Sequence, residues 1–246
     1  MRFTTDPRLS SVLAALCFAA PAGIFAAAPA AAEWYADLYA GVAYTPRSDV
    51  TLVVSLPSGS ADHTFHDVKW NDSATYGGRA GYWFDGTPWL GIGLDVFRFD
   101  ADIPTQSVST TILGVTAPAT LQAIDVSNKV VALDVLLRYP LFVSPAYPKG
   151  RLQPYVTAGP AYFKTRAKNT TNGELTTQAA TDSSTGYKLG GGLSWQVVKD
   201  VAIFGELRYT HVRAAPVLSS ALSPLKVPLQ FDLNTYHLVA GVSFRF

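Results

Sequence analysis

The chain is almost without cysteine: one residue in 246, at Cys17. Everything downstream of that position is therefore closed to disulfides, thiolate catalysis and cysteine-based metal sites. Charge is scarce too, at 15% Asp, Glu, Lys and Arg, against roughly 25% in ordinary globular domains. Neither sign dominates. With 19 basic and 18 acidic residues the net charge is +1, so no cationic field points to nucleic acid. After residue 32 there is no apolar run long enough for a membrane-spanning helix. What the chain does have is aromatics: 12 Tyr, 13 Phe and 5 Trp.

The N-terminus accounts for part of the apolar excess. Arg2 and Arg8 precede an apolar run over 12–20, followed by small residues ending in Ala30-Ala31-Ala32. That order predicts a secretory signal peptide over residues 1–32, cut before Glu33. Pro21, Gly23, Pro29 and the many alanines argue against a membrane anchor over the same stretch. Cys17 follows Leu16, where a lipoprotein signal would carry Gly or Ala, so lipidation is not expected. Without Arg2, Arg8 and Asp6 the mature chain is neutral. One domain is expected over residues 33–246.

That domain is written in segments of about ten residues that alternate with period two, the signature of a membrane β-barrel. Eight can be read: 34–44, 74–84, 89–99, 130–139, 153–163, 187–197, 201–211 and 234–246. In the first, Ala36, Leu38, Ala40, Val42 and Tyr44 share one face, while Tyr35, Asp37, Tyr39, Gly41 and Ala43 share the other. In the third, Leu90, Ile92, Leu94 and Val96 oppose Gly91, Gly93, Asp95 and Phe97. Pro154 and Pro160 weaken the fifth, since proline cannot donate to a ladder. Connections at 85–88, 140–152 and 198–200 are short or moderate; those at 45–73, 101–128, 164–184 and 212–233 are long and read as loops. Short turns at one end and long loops at the other predict an all-β fold, an eight-stranded antiparallel up-and-down transmembrane barrel with both termini at the periplasmic side. The alternation runs on to Phe246, so the last strand is expected to pair with the first and leave no backbone edge in lipid. A soluble barrel would carry its charges outward. Here the strand charges fall almost entirely on one face, together with most of the strand glycines.

WYADLYAGVAY, GGRAGYWF, GLDVFRF, QPYVTAGPAYF, GELRYTH and YHLVAGVSFRF, in that order, resemble the small OmpA-like and opacity-protein-like outer-membrane β-barrels. The likeness covers essentially all of 33–246, although the loops match no motif. It implies a bacterial outer-membrane location, a monomer, and contacts with outer-membrane lipid, lipopolysaccharide and the barrel assembly machinery. The terminal Phe244 and Phe246 resemble the signal that this machinery reads. No single activity is implied: the expected role is structural or surface-exposed, including adhesion or host interaction, without catalysis. Two other classes stay open, a narrow porin-like channel for small solutes and a lipid A-modifying enzyme. The loops' binding partner is not legible.

The most informative candidates share the lumen face: Asp37, Arg79, Asp95, Asp134, Arg138, Lys188, Glu206, Arg208, His237 and Arg245. Charges of both signs inside so narrow a barrel predict an internal ion-pair network rather than a permeation path. Arg79 is expected at its centre, between Asp37 and Asp95 on the neighbouring strands. Arg98 and Lys164 fall on the lipid face near the outer ends of their strands, as candidate lipopolysaccharide contacts. DHTFHD (62–67) offers His63 and His66, but an extended segment puts them on opposite faces and no third ligand is evident, so no metal site is expected. His211 beside Thr210 matches no deacylase motif, and Gly190 to Gly192 lack the Lys-Thr pair of a phosphate loop. No catalytic residue and no cofactor are predicted.

Overall fold

In the computed structural model, which describes residues 33–56, 59–112, 114–169, 179–220 and 223–246, all the regular structure is β. In chain order the strands are β1 (Glu33–Tyr44), β2 (Ser48–Leu56), β3 (Gly59–Val68), β4 (Ser73–Trp83), β5 (Leu90–Asp100), β6 (Gln106–Ile112) and β7 (Val115–Leu121). There follow β8 (Ile124–Arg138), β9 (Leu152–Asn169), β10 (Ala180–Val198), β11 (Val201–Ala214), β12 (Val217–Ser220) and β13 (Ser223–Arg245). Eight of them close an antiparallel barrel in the order β1-β4-β5-β8-β9-β10-β11-β13. β13 pairs with β1 from Tyr35↔Arg245 to Tyr44↔Tyr236. The predicted signal peptide and Cys17 lie outside the described residues.

The outer wall between the two rims is apolar, with Leu38, Val42, Leu94, Val96, Leu133, Val135 and Leu207 exposed. Aromatic girdles frame it. Trp34, Phe84, Trp89, Tyr139, Trp195, Phe244 and Phe246 ring the short-turn rim; Tyr44, Tyr76, Tyr162, Tyr187 and Tyr236 ring the other. Amphipathic rings at both edges of an apolar band are what a bilayer selects. No helix among the described residues is long and apolar enough to cross a membrane.

Beyond the second girdle the strands continue, and their two faces exchange polarity. On β8, Val131, Leu133, Val135 and Leu137 face outward while Asp134 and Arg138 are buried inside. Further along the same strand the outward residues are Asp125, Ser127 and Lys129, and the buried ones Ile124, Val126 and Val130. β9 changes in the same way, from Val156 outside and Thr157 inside to Lys164, Arg166 and Lys168 outside and Phe163 and Ala167 inside. In lipid the apolar face must point out, and in water it must point in. The inversion therefore marks where the barrel leaves the membrane.

This corrects the reading of the long connections as loops. They contain β2, β3, β6, β7 and β12, and the barrel strands reach well into them. The N-terminal half of β13 pairs with β2 (Phe231↔Val50), β2 with β3, β3 with β6 (Phe65↔Thr110) and β6 with β7, so the barrel sheet continues through β13 into a four-stranded extension on one side of the mouth. The apolar residues of these strands (Val50, Phe65 and Val68) pack with Trp70, Phe99, Ile103, Leu121, Phe163 and Phe231 into one buried cluster. It fills the mouth from within.

At Pro160 the β8–β9 ladder, but not β9 itself, is interrupted: no residues pair between Ala132↔Ala161 and Val135↔Ala158, although the register is kept and Pro160 still pairs with Tyr187 of β10. Gly159 lets the backbones approach there, since a Cβ would lie 1.8 Å from the Leu133 carbonyl oxygen. A backbone atom cannot swing aside as a side chain can. Gly159→Val should therefore force the two strands apart, at about 1–3 kcal/mol. The check is the temperature at which the folded barrel loses its compact migration on a detergent gel; an unchanged midpoint would contradict the close approach.

Candidate functional site

The inward faces of the barrel strands bring charge together in two tiers. Nearest the short-turn rim, Arg138 donates to Glu33 at 2.8 Å, and Lys149 and Arg245 approach the same carboxylate at 3.2 and 3.4 Å. Gln153 accepts from Arg245 at 2.9 Å, and Ser194 accepts from its other nitrogen at 3.0 Å. The Arg138 guanidinium lies 4.1 Å over the Trp83 ring. Glu33 has the inward parity of Tyr35 and Asp37, so it could have been read as lumenal; treating it only as the first mature residue hid that.

The second tier spans the lumen. Arg79 donates to Asp37 at 2.9 Å on the neighbouring strand and to Glu206 at 3.1 Å on the far wall. Glu206 also accepts from Tyr155 at 2.8 Å and Arg208 at 2.9 Å. Arg208 reaches Asp95 at 3.2 Å and the Tyr39 hydroxyl at 3.0 Å, and that hydroxyl donates to Asp95. Lys188 bridges Asp95 and Asp134. Counting both tiers, five carboxylates meet six cations. Near-balance of this kind is the condition under which buried charge is tolerated. The tyrosines that complete the network, Tyr39 and Tyr155, were not foreseen, although both share the inward parity.

All ten lumen candidates are buried, none more than 7% exposed. Two expectations need correction. Arg79 is not paired with Asp95, although the two stand opposite one another in the β4–β5 register. Eight strands make so narrow a tube that a guanidinium crosses it to Glu206, leaving Asp95 to Lys188 and Arg208. Adjacency around the wall is therefore a poor guide to pairing. Nor does His237 join an ion pair. Its Nε2 meets the Thr210 hydroxyl at 3.0 Å, and its ring stands edge-on to Phe97 and Phe99 at 5.7 and 4.8 Å. It sits where the lumen turns from charged to apolar, with aromatics where an anion would have to be.

The gap between the tiers, lined by residues including Tyr35, Asp37, Tyr155, Ser243 and Arg245, has a volume of about 30 Å³. That is room for no more than a few water molecules. Above His237 the Thr165 hydroxyl donates to Asn128 at 2.8 Å, and then the apolar cluster closes the mouth. Such an interior holds the strands in place.

Outside the barrel, His63 stacks on Phe65 at 4.4 Å, while His66 bonds Asp49 and Thr111, each at 3.0 Å, from the opposite face of β3. The backbone N–H of Asp67 and the His66 ring hold the Asp49 carboxyl below its ordinary range. Burial raises Asp102, against a hydrogen bond from the Val126 N–H and with help from the nearby charges of Asp125 and Asp100. His211 bonds Asn234 at 2.7 Å and lies against Tyr187. Gly190 to Gly192 lie in β10 and pair with Arg208, Leu207 and Glu206 of β11. Phe244 and Phe246 project from the short-turn rim, Phe246 bonding through its N–H to Trp34 at 2.9 Å.

Among curated proteins none matches the chain significantly in sequence. Of solved structures, Neisserial surface protein A is similar at 15% identity and a TM-score of 0.45, over 87% of this chain and 97% of that one. OprG of Pseudomonas aeruginosa is similar at 13% identity and 0.49, over 88% and 97%. The Escherichia coli outer membrane protease OmpT is similar at 11% identity and 0.45, over 87% and 97%. The model of the outer membrane protein beta-barrel domain matches residues 17–246, which takes in every strand of the barrel. The chain belongs to this family of outer-membrane β-barrels, whose place is the outer membrane of bacteria.

Proposed function

We propose that the protein is a sealed, non-catalytic outer-membrane barrel whose role is to carry the sheet β2-β3-β6-β7 on the cell surface. The observation that carries this is the filled interior: two tiers of ion pairs below and an apolar core above. A narrow channel is the competing reading, and it needs a continuous aqueous path where Lys188, Arg208 and Phe99 are wholly buried. Against an enzyme, His237 is sealed inside and His211 is engaged by Asn234. The displayed sheet fits a contact surface better. β6 and β7 are its outermost hairpin, and Ile112 and Val115 at the tip are exposed.

At that tip Gly114 has φ +80°, and open space surrounds the position where a Cβ would stand. A short epitope inserted at Gly114 should therefore be accepted without unfolding the barrel, as exposed loop tips accept insertions. Intact cells should bind an antibody to the epitope, and the extracted protein should still migrate as a folded barrel. Labelling only after the outer membrane is broken would contradict surface display.

A further inference from the structure

We infer that the outer wall over β5, β8 and β9 binds the phosphate groups of a lipopolysaccharide headgroup in the outer leaflet. Arg98 stands opposite Lys129 in the β5–β8 register, and Lys129 stands opposite Lys164 in the β8–β9 register. Three cations thus occupy successive register positions on three adjacent strands. Like charges directly opposite one another destabilise a sheet. Among the described residues only Arg98 is within ion-pair distance of a carboxylate, Asp100 at 3.4 Å and half-exposed. Lys129 and Lys164 make no ion pair among the described residues. A row with two of its three cations uncompensated calls for an anion.

Its height on the wall says which one. Tyr76 faces Arg98 in the β4–β5 register, and Tyr162 lies two residues along β9 from Lys164, so the row adjoins the tyrosine girdle. Immediately toward the membrane on these strands are Val96, Val131 and Tyr162, all exposed. An anion held by the row is in contact with an acyl-binding surface below and with water above. A phosphorylated glycolipid has that shape, whereas a free phosphate would use only the upper half. Among the described residues the rest of the rim lacks the feature: Tyr44, Tyr187 and Tyr236 are neutral, and Arg213 on β11 is paired with Asp232 at 2.8 Å. Lys129 was not singled out from the sequence because its strand was read as starting at residue 130.

This rests on the placement of the wall in the outer membrane and is independent of whether the lumen is sealed. The test uses the full mature protein in neutral phosphatidylcholine vesicles, with bisphosphorylated lipid A, with dephosphorylated lipid A, or with inorganic phosphate in solution. Bisphosphorylated lipid A alone should raise the unfolding midpoint of the wild type. In the triple variant Arg98→Gln, Lys129→Gln, Lys164→Gln the midpoint in neutral vesicles should not fall, because the three side chains lie on the outer surface and their removal relieves the repulsion between facing like charges. Its affinity for bisphosphorylated lipid A should be weaker by about a hundredfold, from the loss of three interfacial cations. An equal response of the triple variant, or an equal response of the wild type to dephosphorylated lipid A or to inorganic phosphate, would overturn the assignment.

Discussion

Replacing Lys188 with methionine should destabilise the barrel more than almost any other single exchange of similar shape. The ammonium group is wholly buried and bridges Asp95 and Asp134, both also wholly buried. Asp95 would keep Arg208 and the Tyr39 hydroxyl. Asp134 has no other cation within ion-pair distance among the described residues, and its carboxylate would be stranded. Removing one partner of a buried pair costs about 3–5 kcal/mol, because the charge left behind has no compensation. The double change Lys188→Met with Asp134→Asn should recover a large part of that loss, since an amide carries no charge to strand. Unfolding midpoints of the three proteins in the same detergent decide the matter. A double variant no more stable than Lys188→Met would show that Asp134 does not depend on this lysine.

The second large effect is expected in the cap. Phe99 is wholly buried and belongs to the apolar cluster at the mouth of the barrel. Phe99→Ala removes a ring from a close-packed interior, at about 3–5 kcal/mol for the lost contacts and the cavity. Because the cluster joins the barrel wall to β2 and β3 through Val50 and Phe65, the loss should fall first on the displayed sheet. On intact cells, external protease should cut the variant within residues 45–72 at concentrations that spare the wild type, while the membrane-spanning part persists. Equal resistance of the two proteins would mean that the cap does not hold the sheet to the barrel.

How much of this was legible in the sequence depends on which side of the membrane boundary a residue lies. Within the bilayer the rule is constant, and Leu38, Val96, Leu133 and Val135 mark the outward face while Asp37, Asp95 and Asp134 mark the inward one. Beyond it the rule reverses. Val126, Phe163 and Phe231 are the inward residues there, and a search for outward apolar residues reads these same strands as loops. The ten lumen candidates were found by parity alone, since parity is a local property of each strand. Their partners were not. Whether Arg79 meets Asp95 or Glu206 depends on the diameter of the closed barrel and on which wall lies across from it, and neither is written in one strand. Lys149 was missed because it lies in a turn, outside any alternating segment.

The central claim, that the interior is filled from rim to mouth, is tested most directly by single-channel recording of the purified barrel in planar bilayers, together with Arg79→Ala. Arg79 joins Asp37 to Glu206 across the lumen, yet the Glu33 tier lies below it and the apolar cap above. Neither the wild type nor Arg79→Ala should give stepwise conductance, while the variant should unfold at a lower temperature. Discrete, reproducible conductance steps from the wild type would contradict a filled lumen. Steps from Arg79→Ala alone would mean that the seal is one arginine and not a stack of layers.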